Sequence, residues 1–307
     1  MATHFLDDSA PQPFWDNSVT PRLSIDPGDT VVFECLEASG QYTRESTLRD
    51  YLDADRSKTH ALNGSVRING AEPGDALQVE ILDMQHKGWG WSAYRPGFGL
   101  LADDFPEPYF HVWELADDEC HFGVNNIVLP FDPMPGCVGV APREAGRLNT
   151  IPPRENGGNV DVRDLTTGSV FWLPVLAPGA LFSTGDCHAS QGQGEVSGTG
   201  IESPMTVTMK FDVCKDRAVD ELQFTRTSPR SGADSAGYFG TTAHGPDLYI
   251  NSQNAVRQMI DWLVSEQGLT RPQAYVLCGA IVDLTISEIV DAPNWIVSAQ
   301  IPLQIFD

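Results

Sequence analysis

Lysine is scarce in this 307-residue chain, which holds only Lys58, Lys87, Lys210 and Lys215. Lysine and arginine together number 19 against 42 aspartates and glutamates, so the net charge is −23. Such a surface repels phosphate, and this disfavours nucleic acids and anionic membranes as partners. The same composition fits a salt-adapted source, with an ordinary acidic cytosolic enzyme as the alternative.

Long apolar runs and paired cysteines are also missing from the sequence. No stretch of about eighteen apolar residues occurs, so no transmembrane helix is expected. The first residues lack a basic region followed by an apolar one, which argues against a signal peptide. The six cysteines are scattered without a Cys-x-x-Cys pair, and this disfavours a thiolate zinc cluster or a disulfide framework. We therefore expect a reduced, cytoplasmic protein.

Alternating apolar residues separated by Pro-Gly turns dominate the first two thirds of the chain. Residues 23–33 and 66–81 each contain two apolar-alternating runs about a Pro-Gly-Asp turn, and we interpret both as hairpins. Residues 88–115 are dense in aromatics and glycines, which indicates a long loop that walls a pocket or seals the end of a sandwich. We expect a mainly β fold, with a β-sandwich or jelly-roll-like body over residues 1–220 that carries the active site.

Helical periodicity appears only late in the chain. Apolar residues recur at helical spacing over 252–266, and Thr270 with Pro272 marks the start of a second, buried helix. Residues 295–306 predict a closing strand. Residues 221–307 are therefore expected to form a helical, α+β part that closes onto the body as one compact unit.

The chemistry of the chain is concentrated in residues 183–205, a glycine-rich stretch with interleaved acids. Asp186 and His188 are two residues apart, so on a strand both side chains leave one face and Cys187 leaves the other. Glu195 follows after a turn and can converge on the same point. Such a set can hold a divalent metal or work as an acid–base group. A chance Asp-x-His pair in a connecting turn is the alternative.

The same stretch resembles a known motif. The run Gly-Asp-x-His-Ala-x-Gln-Gly-x-Gly-Glu-Val-x-Gly-Thr-x-Ile-Glu, which starts at Gly185, is similar to the core motif of the acetamidase/formamidase family. Further similar blocks extend from about Trp15 to Phe306. The resemblance implies an amidohydrolase that cleaves short-chain amides, such as formamide and acetamide, to a carboxylate and ammonia. It also implies a homo-oligomer with a small-molecule amide as its substrate.

Two further site residues follow from this resemblance. The block Gly-Gly-Asn-x-Asp at 157–161 makes Asp161 a candidate second acid, whereas an aspartate at a strand start is otherwise a surface residue. His60 lies just ahead of a strand, as does a histidine in the family pattern, and could reach a metal. A solvated loop histidine is the alternative.

Amide hydrolysis requires a nucleophile, oxyanion stabilisation and protonation of the leaving amine. Scarce lysines and a Cys187 that faces away from His188 disfavour serine and cysteine nucleophiles. A water activated by a divalent cation meets these needs. We expect Asp186 and His188 to ligate the cation, His60 to complete the set, and Glu195 to carry the proton. Zinc is the expected ion, with calcium or manganese as alternatives.

Two other functions stay open at the level of the sequence. One is a metal-dependent hydrolase of a larger amide, which the aromatic segment at 88–115 would favour. The other is a non-catalytic β-sandwich module that binds its ligand through calcium.

Overall fold

The computed structural model describes residues 1–226, 237–290 and 292–306. The strands in these ranges are β1 (Thr3–Leu6), β2 (Leu23–Ile25), β3 (Thr30–Cys35), β4 (Asn63–Ile68), β5 (Ala76–His86), β6 (Trp89–Tyr94), β7 (Tyr109–Ala116), β8 (Glu119–His121), β9 (Val128–Pro130), β10 (Met134–Gly139), β11 (Gly157–Asn159), β12 (Val170–Pro174), β13 (Phe182–His188), β14 (Met205–Cys214), β15 (Gln223–Thr225), β16 (Tyr238–Gly245), β17 (Asp283–Glu288) and β18 (Trp295–Pro302). The α-helices are α1 (Leu48–Asp53), α2 (Leu248–Gln267) and α3 (Arg271–Ile281).

Two large sheets form the body of the protein. One has the strand order β1-β3-β14-β5-β12-β15 and the other the order β11-β10-β13-β4-β2. Phe182 of the second sheet packs edge-on against Phe33 and Phe211 of the first, with ring centroids 6.2 and 5.1 Å apart. Buried and partly exposed residues alternate along β14, as the sequence predicts for a strand with one solvated face. The expected mainly β body is confirmed.

The strands that flank the two Pro-Gly-Asp turns do not pair with each other, so the prediction of two hairpins was wrong. Strands β2 and β4 pair with each other in parallel, whereas β3 and β5 both pair with β14 in the other sheet. Each turn therefore carries the chain from the five-stranded to the six-stranded sheet. Alternation of apolar and polar residues identifies a strand but not its partner. The strands before and after each turn both bury one face in the same core, whether or not they pair with each other.

The aromatic segment at 88–115 is also not a long loop. Strands β6 and β7 pair antiparallel within a four-stranded sheet of order β6-β7-β8-β9. Close packing explains the glycine at position 90 of β6. A Cβ there would lie 2.7 Å from Ile201 Cγ2 and 2.8 Å from the Glu202 carbonyl oxygen. Gly90 thus allows close packing within a strand.

The C-terminal part contains helices and strands, as expected. Helix α2 ends at Gly268, whose φ of 65° is the left-handed conformation that favours glycine. The Thr270 side chain caps α3. Strands β16, β18 and β17 form a three-stranded sheet, and the main hydrophobic cluster includes residues of both parts of the chain. Among the described residues, none of the helices combines the length and apolar character that a bilayer crossing requires.

Replacing Phe182 tests the packing between the two large sheets. Phe182 is fully buried, so Phe182→Ala should lower the free energy of unfolding by about 3–5 kcal/mol through lost burial and a residual cavity. Phe5→Ala is the matched control, because Phe5 is 62% exposed and its removal should cost within about 0.5 kcal/mol. Urea unfolding of the three proteins gives the measurement. Equal midpoints for both variants would contradict this account of the core.

Candidate active site

Strand β13 lies inside the five-stranded sheet, and all seven of its residues are buried. Its last residues include Asp186 and His188, which are 4% and 1% exposed. Asp186 has a φ of 53°, a conformation that L-residues other than asparagine and aspartate rarely adopt. The strand thus carries two ionisable side chains into the interior at its carboxyl end.

All five site residues predicted from the sequence come together at this point. His60 Nε2 lies 3.6 Å from Asp186 Oδ2, and His188 Nε2 lies 3.9 Å from the same oxygen. His188 Nε2 is 3.8 Å from Glu195 Oε1, while its Nδ1 is 4.0 Å from Asp161 Oδ1. The side chains predicted to act jointly are therefore neighbours.

Glu202 also belongs to the cluster, although no role was predicted for it from the sequence. Its Oε2 lies 3.1 Å from His188 Nε2, and its Oε1 accepts a hydrogen bond from the Gly200 amide. Glu202 is 3% exposed and forms isolated bridges to His188 and Trp91. Its place as the last acid of the Gly-Glu-Val-x-Gly-Thr-x-Ile-Glu run was the available signal. Because glycine-rich turns precede Glu202, the direction of its side chain could not be predicted from the sequence.

The cysteines near the cluster are neutral thiols. Cys137 Sγ lies 3.7 Å from Asp186 Oδ2, but burial and this carboxylate raise the pKa of Cys137 well above its usual value. A hydrogen bond with Cys35, together with burial, likewise raises the pKa of Cys187. Cys187 contacts Cys35 and is fully buried in the hydrophobic core. Neither residue has the exposed, electropositive surroundings of a reactive thiolate.

A glutamine fixes the orientation of His188. The Gln191 side-chain amide donates a hydrogen bond to the Asp161 carbonyl oxygen at 2.8 Å, so its own oxygen faces His188 Nδ1 at 2.7 Å. Nδ1 must therefore carry the hydrogen in that bond. In the neutral ring, Nε2 then presents its lone pair to Glu202 and Asp186.

The crowding of charged groups shifts the pKa values of the cluster. Burial raises the pKa of Asp161 to about 7 and that of Glu202 to about 8, although His188 opposes both shifts. Burial and then Asp161 raise the pKa of Glu195 well above its usual range. Burial alone would lower the pKa of His188, but the surrounding carboxylates, Glu202 first, raise it well above 6.5.

Several buried polar atoms of the cluster lack a hydrogen-bond partner among the described residues. Asp161 Oδ1, His188 Nε2 and Glu202 Oε2 are all of this kind. Buried oxygens and nitrogens are usually paired, and carboxylates gathered around an imidazole are the donor set of a cation site. Three sets of residues are close enough to share one ion: His60, Cys137 and Asp186; Asp161, Asp186 and His188; and His188, Glu195 and Glu202.

The cluster lies at the base of a cavity of about 120 Å³. Four acids and one histidine of the cluster line this cavity: Asp161, Asp186, Glu195, Glu202 and His60. Its side walls include the aromatic rings of Tyr42, Tyr51, Trp91 and Phe98. Trp91 and Phe98 come from the aromatic segment, so part of that segment walls the cavity. Its other aromatic residues, such as Tyr94 and Trp113, pack in the core.

A buried carboxylate shapes the aromatic wall. Glu37, 2% exposed, accepts hydrogen bonds from the backbone amides of Ser39, Gln41 and Tyr42 and from the Trp91 indole nitrogen at 2.9 Å. It thereby ties the loop that carries Tyr42 to strand β6. The ring centroids of Tyr42 and Trp91 are 5.0 Å apart, in an edge-to-face arrangement.

Comparison with known proteins identifies the family. The family model described as "Acetamidase/Formamidase family" matches residues 7–148 and 144–307. The chain belongs to the acetamidase/formamidase family. This membership confirms the expected enzyme class, a hydrolase of amide carbon–nitrogen bonds.

Individual relatives agree with the family assignment. A formamidase of Methylophilus methylotrophus is 28% identical, over 95% of this chain and 88% of its own length. An acetamidase of Mycolicibacterium smegmatis is 30% identical, over 66% of this chain and 65% of its own length. The solved structure of a gamma lactamase from Delftia acidovorans superposes with a TM-score of 0.91 at 25% identity, covering 99% of this chain and 93% of that one.

Gly136 provides a test of whether the cluster holds a cation. A Cβ at this position would lie 2.7 Å from Asp161 Oδ1 and 3.0 Å from Asp186 Oδ2, so Gly136→Ala should push both carboxylates apart. We expect the affinity for a divalent cation to fall by about 10- to 100-fold. Competition between the protein and a chromophoric chelator for Zn²⁺, Mn²⁺ or Ca²⁺ measures this change.

The matched control is Gly240→Ala, because a Cβ there meets its nearest neighbours only at 3.8 Å. Circular dichroism of both variants verifies that they are folded. If Gly136→Ala binds each ion as tightly as Gly240→Ala, the two carboxylates do not hold a cation.

Proposed function

We propose that this protein hydrolyses short-chain primary amides to a carboxylate and ammonia with the residues at the base of the cavity. The observation that carries the proposal is the trio of unpaired buried atoms, Asp161 Oδ1, His188 Nε2 and Glu202 Oε2, beside a partly open cavity. Family membership supplies the class of bond. Buried polar atoms without hydrogen-bond partners lower the stability of the fold unless a ligand or ion pairs with them.

Asp161, Asp186 and His188 are close enough to hold one divalent cation, with His60 beside Asp186 and Glu202 beside His188. Their donor atoms are oxygens and imidazole nitrogens, which suit zinc first and manganese or calcium next. When bound, such an ion lowers the pKa of a water molecule and polarises the amide carbonyl. The carboxylates of the cluster would repel one another less beside such a charge, and their ionised forms would be favoured.

Glu195 is the proposed proton carrier. Its side chain is 21% exposed and lines the cavity, so it can reach both a water molecule and the substrate. The water oxygen bonds to the amide carbon, and the Glu195 carboxylate takes the water proton. Glu195 then gives this proton to the nitrogen as the C–N bond breaks, which releases ammonia and leaves the carboxylic acid. The acid loses its proton at neutral pH and becomes the carboxylate.

A cyclic amide is the second candidate substrate. The structural similarity to the gamma lactamase of Delftia acidovorans favours a cyclic amide. The cavity also favours it, because its aromatic wall offers more contact surface than a molecule as small as formamide can use. The same residues would open the ring without releasing ammonia, because the amine stays attached to the product. An assay that follows both ammonia and ring opening separates the two substrates.

A cytoplasmic location and a homo-oligomeric assembly remain predictions. All six cysteines are free thiols, five of them buried, which suits a reducing compartment. Light scattering coupled to size-exclusion chromatography measures the number of subunits.

Removal of metal ions should stop hydrolysis. We expect elemental analysis of the purified protein to find a stoichiometric divalent ion, and ammonia release from formamide and acetamide to cease after chelation. Zn²⁺ should restore the activity, because it suits the nitrogen and oxygen donors of the cluster. Activity that survives in a metal-free preparation would instead make the cluster a purely acid–base device.

Replacing Glu195 tests the proton-transfer role. Glu195→Gln keeps the size of the side chain but removes its capacity to accept a proton, so kcat should fall by about 10²- to 10⁴-fold. The metal content should stay unchanged. Glu155→Gln is the control, since Glu155 is 49% exposed outside the cavity. Full activity of Glu195→Gln would rule out this assignment.

A further inference from the structure

The cavity contains two arginines in addition to its acidic base. Arg56 and Arg95 both line it, alongside the aromatic wall. Both are partly exposed, whereas Asp186 and Glu202 at the base are buried. Two buried acids and two partly exposed arginines thus line the same cavity.

The two arginines differ in how their guanidinium groups are used. Arg56 donates hydrogen bonds to the Tyr51 carbonyl oxygen and to Tyr42 Oη, and lies over the Tyr51 ring at 4.4 Å. These contacts fasten the aromatic wall. Both terminal nitrogens of the Arg56 guanidinium thus donate to the protein.

Arg95 has no such contacts. Its guanidinium carbon lies 5.3 Å from the centroid of the Phe98 ring, and its side chain has no hydrogen-bond acceptor or carboxylate partner among the described residues. This is notable in a chain with 42 acidic and 19 basic residues. Stacking on Phe98 orients the group but leaves its planar donor edge for a ligand.

The space between the acidic residues and Arg95 suits an apolar or planar group. Tyr42, Tyr51 and Trp91 supply flat rings, and the hydrogen bonds of Glu37 hold two of them in place. A substrate that fills this space puts its amide at the acidic base and its other end toward Arg95. A guanidinium recognises a carboxylate through paired hydrogen bonds.

We propose that Arg95 is a specificity-determining residue that binds a carboxylate carried by the substrate. The preferred substrates are then half-amides of dicarboxylic acids, in which a short chain or ring separates the amide from the carboxylate. This inference rests on the proposed amide hydrolysis. It adds the substrate class, which neither the base of the cavity nor the relatives define.

Matched pairs of amides test the proposal. Succinamate is compared with butanamide, glutaramate with pentanamide, and 4-carbamoylbenzoate with 4-methylbenzamide, so that a methyl group replaces the carboxylate in each pair. The zinc-loaded wild type should have the higher kcat/KM for the acidic member of at least one pair. Arg95→Gln should lower that value by about 10- to 100-fold, the usual effect of losing a hydrogen bond to a charged group.

Three controls sharpen this comparison. Arg95→Gln should leave kcat/KM for the neutral amides within about twofold, since they do not reach the guanidinium. Arg95→Lys should restore part of the preference, because it keeps the charge but not the paired geometry. Arg147→Gln removes another exposed arginine that lies over a phenylalanine, Phe14, outside the cavity, and should change nothing.

A binding measurement separates this proposal from the proposed function. Calorimetry with the zinc-loaded protein should find tighter binding of glutarate than of pentanoate, and Arg95→Gln should abolish the difference. If no amide is hydrolysed but this difference is found, the proposed function fails and the role of Arg95 stands. If amides are hydrolysed with equal kcat/KM within each pair, or if Arg95→Gln leaves the preference unchanged, the role of Arg95 is overturned.

Discussion

The crowding of four carboxylates around one buried imidazole is the constraint on which the rest of the site depends. Asp161, Asp186, Glu195 and Glu202 all approach His188 within 4.0 Å. Two like charges about 4 Å apart repel by about 4 kcal/mol at an effective dielectric constant of about 20. The scaffold must therefore hold the acids in place against this repulsion, and it does so with strands, tight glycine contacts and hydrogen-bonded amides.

Glycines allow this crowding because they let backbones approach where a side chain would not fit. Gly136 of β10 leaves room for the carboxylates of Asp161 and Asp186, and Gly90 of β6 lets the segment that carries Glu202 pack against the strand. Both positions lie in strands, where glycine is otherwise unfavourable.

The sequence predicted which ionisable side chains lie together better than it predicted the path of the chain. Asp186, His188 and Glu195 are neighbours, as expected, because strand periodicity and one turn suffice to bring them together. The hairpins were wrong, because alternation shows which face of a strand is buried but not which strand lies beside it. Only part of the aromatic wall could be foreseen, from the dense aromatics at 88–115. Tyr42 and Tyr51 join the wall through contacts with Trp91, which is distant from both in sequence.

Synthesis of the chain on a ribosome proceeds from the first residue, and this bears on when the cluster can form. His60 emerges early, but β13 completes its sheet only after more than half of the chain has been made, and Glu202 follows it. A partial chain that ends before Glu202 offers an incomplete donor set. If these residues bind an ion, they do so late in folding, after the strands of the five-stranded sheet have been made.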